Sequence, residues 1–272
     1  MERFKLLSSA ALVAWMLSSQ GCASGPESLP EIVELERRDG GRLAYYHWCA
    51  DGPRLILIPG SWSEYTQFDA IRAELDPNIN LVIVELPGHG RSWPPAHPAS
   101  IASLAEQVLD VVDDLGWERW YVGGHSIGGM IAIELAAHRP KQLAGIISLE
   151  GWSHHSVERE AFGGANDHTL SPAQEAARQA ERNRTLSRLS QEQIDYFRTI
   201  WRRWDGRPIL QTTSVRVLEM WGDRNLPHPS LEAMQIPDRD NIQVVWAVGS
   251  SHTLPLEVPR AVAAVINRFV QP

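Results

Sequence analysis

The sequence predicts an α/β fold, a doubly wound and mostly parallel sheet with a helical cap inserted before the late strands. The first observation is that short apolar runs, typical of parallel strands covered on both faces, alternate with segments of helical period. The second is that this alternation stops at residues 151–214, where helical patterns follow one another without a strand. We therefore assign residues 32–150 and 215–272 to the core and 151–214 to the cap.

The predicted strands are apolar runs bounded by glycine, proline or acidic residues. A turn at Asp39-Gly40-Gly41 joins the first two strands, because glycine readily supplies the positive φ that a tight hairpin needs. The strands cover residues 32–38, 42–47, 54–58, 80–86, 120–123, 143–149, 215–220 and 242–248.

The predicted helices are marked by their caps and by apolar residues at helical spacing. One helix begins after Ser100, carries leucine and valine on one face, and ends at Gly116. Within the cap, Ser-x-x-Gln capping boxes begin helices at Ser171 and Ser190. The other predicted helical segments cover residues 65–75, 127–138 and 258–270.

The composition excludes several classes of protein. A chain of 272 residues with 43% hydrophobic and 21% charged residues can bury a full core, so disorder and a coiled coil are excluded. The net charge of -8 argues against a nucleic-acid partner, because that interaction needs a basic surface. The 11 tryptophans predict a large aromatic core or an apolar pocket.

The amino terminus is predicted to be a targeting segment. Two basic residues precede an apolar stretch over residues 6–17 that is too short to span a bilayer, as in a signal peptide covering residues 1–21. Gly21-Cys22 also resembles a bacterial lipoprotein processing site, so a lipid on Cys22 and plain export both stay open. Residues 22–31 are predicted to be a tether. We expect an exported protein (periplasmic, lipid-anchored or secreted) without an internal disulfide.

The strongest functional signal is Gly124-His125-Ser126-Ile127-Gly128, which matches the pattern G-x-S-x-G. A predicted strand leads into the motif and a predicted helix leads out of it. The chain must therefore turn sharply at Ser126 and expose the hydroxyl at the apex, where small neighbours are needed. The amino terminus of the helix would favour an anion that develops beside this hydroxyl. The pattern thus predicts a nucleophilic serine.

Four segments, taken in order, resemble the α/β-hydrolase superfamily over about residues 32–270. They are Pro59-Gly60-Ser61-Trp62, where the family often has His-Gly; Glu85-Leu86-Pro87-Gly88-His89-Gly90-Arg91-Ser92, like its structural turn; the motif at 124–128; and Ser251-His252 followed by Glu257-x-Pro259. The resemblance implies that Ser126 is the nucleophile and that His252 is its base. It also implies that the backbone N–H groups of Ser61 and Ile127 bind the oxyanion. A serine hydroxyl needs such a base near neutral pH, and histidine is the usual one.

The acidic member of the predicted triad has two candidates, because the family's usual position is not acidic here. The family has W-G-x-x-D after the cap, whereas this chain reads Trp221-Gly222-Asp223-Arg224-Asn225. Our first candidate is Glu150, at the end of the strand before the cap, where some relatives, including a branch of haloalkane dehalogenases, place the acid. Asp223 is the alternative. Both residues lie between Ser126 and His252, as the chain order of this family requires.

The predicted function is hydrolysis of a small apolar or aromatic ester through an acyl-enzyme. C–C bond hydrolysis, lactone opening and cofactor-free perhydrolysis by the same triad stay open, and so does a non-catalytic ligand-binding protein. We expect no cofactor, no metal and no nucleic-acid partner, and membrane contact only through a lipid on Cys22. The residues predicted to line the substrate pocket are Trp62, His125, Trp152, Phe197 and Trp201.

Overall fold

The computed structural model describes residues 29–95, 100–164 and 169–271. In these ranges, the strands form one sheet in the order β1-β2-β4-β3-β5-β6-β7-β8. The pairs β1–β2 and β2–β4 are antiparallel, and all other neighbours are parallel. The predicted mostly parallel sheet is confirmed. Its strands are β1 (Glu31–Glu36), β2 (Arg42–Trp48), β3 (Arg54–Ile58), β4 (Asn80–Val84), β5 (Trp120–His125), β6 (Leu143–Leu149), β7 (Val217–Gly222) and β8 (Ile242–Ala247).

Helices cover both faces of the sheet, as its buried strands require. Side chains of α2 and α3 pack on one face, and side chains of α1 and α9 pack on the other. None of the helices in the described ranges has the length and apolar character that a membrane span needs. The helices are α1 (Asp69–Arg72), α2 (Ile101–Leu115), α3 (Ile127–His138), α4 (Val157–Phe162), α5 (Pro172–Arg188), α6 (Gln191–Ile200), α7 (Arg207–Thr212), α8 (Leu254–Glu257) and α9 (Pro259–Phe269).

The segment between β6 and β7 contains α4 to α7, where the sequence predicts the cap. Both predicted capping boxes are present, because Ser171 and Ser190 each exchange hydrogen bonds with the glutamine three residues later. The side chain of Glu181 on α5 accepts hydrogen bonds from the Glu64 backbone N–H and from Thr66 Oγ1. The helical segment is therefore joined to the loop that follows β3.

The residues of the predicted targeting segment lie mostly outside the described part of the chain. The predicted signal peptide, residues 1–21, and the predicted lipid site, Cys22, are not among the described residues. Strand β1 begins at Glu31, the last residue of the predicted tether. The expectation of no internal disulfide is wrong, since Cys49 is disulfide-bonded.

Candidate active site

The predicted site residues lie at one edge of the sheet. Strands β3, β5, β6, β7 and β8 are parallel, so their carboxyl ends lie along the same edge, where α/β sheets usually bind ligands. Ser61 follows β3, Ser126 follows β5, Glu150 follows β6 and His252 follows β8. The fold thus assembles side chains that are far apart in sequence.

Ser126 occupies a strained turn between β5 and α3. Its backbone has φ 55° and ψ -120°, and its N–H donates to the carbonyl of Leu149 at 2.9 Å. A Cβ at Gly128 would lie 2.1 Å from the Ile58 carbonyl oxygen, and a Cβ at Gly124 would lie 2.2 Å from the Gly128 carbonyl carbon. The two glycines are needed because the backbones approach closely. A non-glycine residue in such a conformation typically costs about 1–3 kcal/mol, which is characteristic of functional sites.

Glu150 is joined to His252 in the interior of the protein. The Glu150 side chain is fully buried, and its Oε2 lies 3.3 Å from His252 Nδ1. The chain turns at Glu150 with φ 56°, and the Glu150 N–H donates to the Met220 carbonyl at 3.0 Å. These backbone constraints aim the carboxylate at the loop that carries His252.

Arg224 is the second partner of Glu150, and no motif in the sequence predicted this contact. Its side chain is 3% exposed, and it donates to both carboxylate oxygens of Glu150, at 2.9 Å from Nη1 and 2.7 Å from Nη2. The backbone N–H of Gly222 donates to Oε1 at 2.7 Å. Such charge-assisted, two-point hydrogen bonds hold a carboxylate in a defined orientation. Glu150 is therefore bound by a guanidinium and oriented toward an imidazole.

The electrostatic environment distinguishes Glu150 from the other buried glutamates of the described chain, Glu85 and Glu219. Burial raises the pKa of Glu85 to about 7 and that of Glu219 to about 8. Burial also raises the pKa of Glu150, but its hydrogen bonds to His252 and Arg224 and their charges outweigh it, so the pKa lies below the ordinary value. Among these three glutamates, Glu150 alone has a lowered pKa, which favours its ionised form at neutral pH.

Asp223, the alternative acid, has a different set of contacts. Its Oδ1 accepts hydrogen bonds from the backbone N–H groups of Asn225 at 2.9 Å and Gly249 at 2.7 Å. Its Oδ2 lies 3.8 Å from His228 Nε2. Within the described residues, Asp223 has no hydrogen bond or ion pair with His252. Asp223 therefore ties two loops together, and the exposed Asn225 occupies the family's usual acid position.

The predicted oxyanion donors are two backbone N–H groups. The N–H groups of Ser61 and Ile127 form no hydrogen bond within the described chain. The first residue of a helix has no intrahelical acceptor, which leaves the Ile127 N–H available. The next N–H of the loop is used, because Trp62 donates to Nε2 of the buried His89 at 2.9 Å. That bond fixes the loop with Trp62 at φ 67°.

A buried hydrogen-bond network links the loop of Ser61 to the loop of His252. The Gly60 N–H donates to Gln67 Oε1 at 2.8 Å, and the Gln67 amide nitrogen lies 3.2 Å from His125 Nδ1. His125 Nε2 lies 2.6 Å from the His252 carbonyl oxygen, which can only accept, so Nε2 carries the proton. Burial and the charge of His252 lower the pKa of His125 to about 3, so its ring is neutral. His125, predicted to line the pocket, is buried and connects the two loops.

The other predicted pocket residues form two aromatic groups. Trp152 lies beside the proposed base, with its ring centroid 5.2 Å from that of His252 and 5.5 Å from that of Trp201. Phe197 contacts Trp62 at 4.9 Å between centroids. Helix α6 and the turn after it thus place Phe197 and Trp201 next to the loops that carry the candidate catalytic groups.

Ser126 and His252 are not hydrogen-bonded to each other in the described structure. Catalytic hydrogen bonds are often long in free enzymes and shorten when substrate binds. No group of three or more acidic, histidine or cysteine side chains within the described ranges could hold a metal ion. The site therefore contains a strained serine, an imidazole with a buried carboxylate partner, and two free N–H groups.

Comparison with known proteins identifies the family. Residues 53–270 match the model of the alpha/beta hydrolase fold, and the chain belongs to that family. It is similar to an esterase, Rv0045c, of Mycobacterium tuberculosis, with 31% identity over 146 residues, 53% of this chain and 46% of that protein. An uncharacterised protein of Mycobacterium bovis, Mb2734, is 30% identical over 112 residues, 41% of this chain and 33% of that protein. The chain thus spans less than half the length of these curated relatives.

The fold is also found among solved structures. The structure of a hydrolase from Pseudomonas aeruginosa superimposes with a TM-score of 0.71 and 21% sequence identity. The match covers 89% of this chain and 99% of that chain. At this identity the likeness concerns the fold, and the chemistry must be argued from the residues of the site.

Proposed function

We propose that this protein is a serine hydrolase that cleaves small carboxylic esters through an acyl-enzyme. The observation that carries the proposal is the buried, ionised Glu150 held against Nδ1 of His252. This arrangement fixes the tautomer in which Nε2 of His252 is free to accept a proton. A carboxylate in this position also stabilises the imidazolium that forms when the serine is deprotonated.

In the proposed reaction, Ser126 Oγ attacks the ester carbonyl while its proton passes to His252. The carbonyl oxygen becomes an oxyanion, which the N–H groups of Ser61 and Ile127 bind. The tetrahedral intermediate then expels the alcohol, which takes the proton from His252. A water molecule, deprotonated by His252, hydrolyses the acyl-serine and regenerates the enzyme. Glu150 stays ionised throughout and orients the imidazole.

Two further readings of the site are compatible with its chemistry. Lactone opening, C–C bond hydrolysis and perhydrolysis use the same nucleophile and base, so they differ in substrate rather than in machinery. A non-catalytic ligand-binding protein would not need a strained serine. The backbone strain at Ser126 therefore favours an enzyme, since strain of this kind has to be offset elsewhere in the fold.

The proposal predicts that a fluorophosphonate probe labels Ser126 covalently. The probe reacts with serines that have a general base and an oxyanion site, and an ordinary hydroxyl is too weak a nucleophile. Peptide mass spectrometry should locate the adduct on Ser126 in the native protein and find none in heat-denatured protein. A series of para-nitrophenyl esters of increasing acyl length should give turnover. Absence of both label and turnover would leave the binding-protein reading.

We also propose that the protein is exported, because the sequence begins with a predicted signal peptide. The intact mass of protein from its native host should lack at least residues 1–21, and a retained Met1 would contradict export. An acylated Cys22 would identify a lipoprotein. The sequence has two cysteines, so an intramolecular disulfide at Cys49 would engage Cys22 and exclude a lipid on that sulfur. Masses measured with and without reductant distinguish the two states.

A further inference from the structure

Helix α5 presents mostly charged residues toward the core. Its less exposed positions are Glu175, Arg178, Glu181, Arg182, Thr185 and Leu186, of which one is apolar. These positions recur every three or four residues and so share one face of the helix. An inserted helix that only covered an apolar pocket would be expected to bury leucine, valine or aromatic side chains there.

Arg182 on this face has no acidic partner. Within the described chain its guanidinium forms no hydrogen bond or ion pair, although the side chain is half-buried. Its one recorded contact is with the ring of Trp62, whose centroid lies 5.9 Å from Cζ. Trp62 directly follows Ser61, one of the two proposed oxyanion donors. The guanidinium therefore lies near a side chain of the loop that would bind the reacting carbonyl.

Other polar groups on this face of α5 have unused hydrogen-bonding capacity. Burial and the positive charges of Arg178 and Arg198 lower the pKa of Arg182. Arg178 uses Nε and Nη2 to bind Glu175, which leaves its Nη1 without an acceptor in the described structure. The Thr185 hydroxyl, one turn further along, is buried and has no hydrogen-bond partner among described residues.

A half-buried guanidinium without a counter-ion is unfavourable, because it has lost part of its hydration without gaining an ion pair. Arginine is the residue best suited to bind a carboxylate, since its planar donors match the two oxygens. Helix α5 is itself held in place, because Glu181 binds the loop after Trp62 and Arg184 pairs with Glu64 at 2.9 Å. These contacts hold the helix that carries Arg182 against the loop that carries Trp62.

We infer that Arg182 binds a carboxylate of the substrate, so that the preferred substrates are esters that also carry a free carboxylate. This inference rests on the proposed function and narrows its substrate class. The aromatic groups around Trp62 and Trp152 would contact the apolar part of such a substrate, and Arg182 would bind its anionic end. The whole chain has a net charge of -8, so an arginine without an acidic partner is a local exception in its charge distribution.

The experiment compares chain-matched pairs of esters. Mono-para-nitrophenyl esters of glutaric, adipic and pimelic acid carry a free carboxylate, and the para-nitrophenyl esters of the monocarboxylic acids of equal length do not. We expect the wild-type enzyme to have a higher kcat/KM for the charged member of at least one pair. In Arg182→Gln, the charged-to-neutral ratio of kcat/KM should fall about tenfold or more, since a hydrogen bond to a charged group contributes about 1.5–3 kcal/mol.

Arg203, in the turn that follows α6, provides a matched control. Its Cζ also lies 5.9 Å from an aromatic ring centroid, that of Tyr196, but its side chain is exposed. Arg203→Gln should leave the charged-to-neutral ratio within about twofold of the wild-type ratio, as is usual for exposed charges. The inference is overturned if the wild type prefers the neutral ester in every pair, or if Arg182→Gln changes the ratio no more than Arg203→Gln.

A binding measurement separates this inference from the proposed function. In a Ser126→Ala background, monomethyl adipate should bind with a Kd about tenfold lower than in Ser126→Ala/Arg182→Gln, measured by isothermal titration calorimetry. If esters are cleaved but Arg182→Gln changes neither the ratio nor this Kd, the function stands and the inference fails. If no ester is cleaved but the Kd difference is found, the carboxylate site stands and the proposed function fails.

Discussion

Replacement of Ser126 by alanine should lower kcat for ester hydrolysis by about 10⁴-fold or more, because the variant has no nucleophile. His252→Ala should cause a loss of the same order, since the serine then has no base. The losses should not add in the double variant, because serine and histidine act as a unit. Steady-state kinetics with the best para-nitrophenyl ester measures all three. Residual activity above about one-thousandth of wild type in both single variants would contradict the assignment.

The conformation of Ser126 supplies a second readout that does not depend on activity. The φ of 55° is unfavourable for any residue with a Cβ, and glycine adopts it without that penalty. Ser126→Gly should therefore be as inactive as Ser126→Ala but more stable than it, by about 1 kcal/mol in the free energy of unfolding. Urea denaturation monitored by tryptophan fluorescence measures the difference. Equal stabilities would indicate that the turn is not strained.

Much of the fold could be predicted from the sequence because local signals agreed with the tertiary structure. Strand β6 and helix α3 have the predicted ends, since each is an apolar run bounded by residues that cannot continue it. Most other boundaries shift by up to two residues. For example, β5 continues to His125 because the backbone stays paired with β6 until the turn at Ser126. The G-x-S-x-G motif predicted the turn at Ser126 because the close approach of the backbones there leaves no room for a Cβ at Gly124 or Gly128.

The partners of the buried groups were not predictable in the same way. In the segment after β7, Asp223 was a candidate because it is acidic, and Asn225 was notable because it occupies the family's usual acid position. The residue between them, Arg224, reaches back to Glu150, and no local spacing reports such a contact. A physical signal was nevertheless present. A carboxylate at the end of a buried strand requires a cation or several donors, and Arg224 is the cation nearest to the end of the adjacent strand.

The face of α5 shows the same limit. Helix α6 carries apolar residues at helical spacing, and its Phe197 packs against the core and against Trp62. The corresponding face of α5 carries Arg178, Glu181 and Arg182, so an apolar pattern could not identify it as buried. This face of α5 is polar, and the contact between its Arg182 and Trp62 is the observation that suggests a charged substrate. Apolar periodicity therefore predicted the packing of the cap segment but not its chemistry.

Glu150→Gln should lower kcat by about 10³–10⁴-fold, because an amide cannot stabilise the imidazolium or hold His252 in the required tautomer. It should also destabilise the fold, since Arg224 is 3% exposed and would lose its counter-charge. Removing one partner of a buried ion pair typically costs about 3–5 kcal/mol. The loss of activity alone could therefore be confused with a loss of folded protein, and a second variant is needed.

The double variant Glu150→Gln/Arg224→Met separates the two effects. Methionine removes the charge that has lost Glu150 while keeping much of the volume, so the free energy of unfolding should recover by about 2 kcal/mol or more relative to Glu150→Gln. The activity should not recover, because the carboxylate that faces His252 is still missing. Asp223→Asn is the matched control: it keeps Oδ1 as an acceptor for Asn225 and Gly249, and its kcat should stay within about threefold of wild type.

The pH dependence of stability tests whether the Glu150 carboxylate also contributes to the free energy of unfolding. The pKa of Glu150 is lower in the folded protein than its ordinary value, so its ion pair stabilises the protein fully at neutral pH. This contribution is lost as the pH falls through the folded pKa. The stability difference between wild type and the double variant should therefore shrink on acidification.

A folded double variant with more than about a tenth of wild-type kcat would show that another group orients His252. An inactive Asp223→Asn would move that role to Asp223.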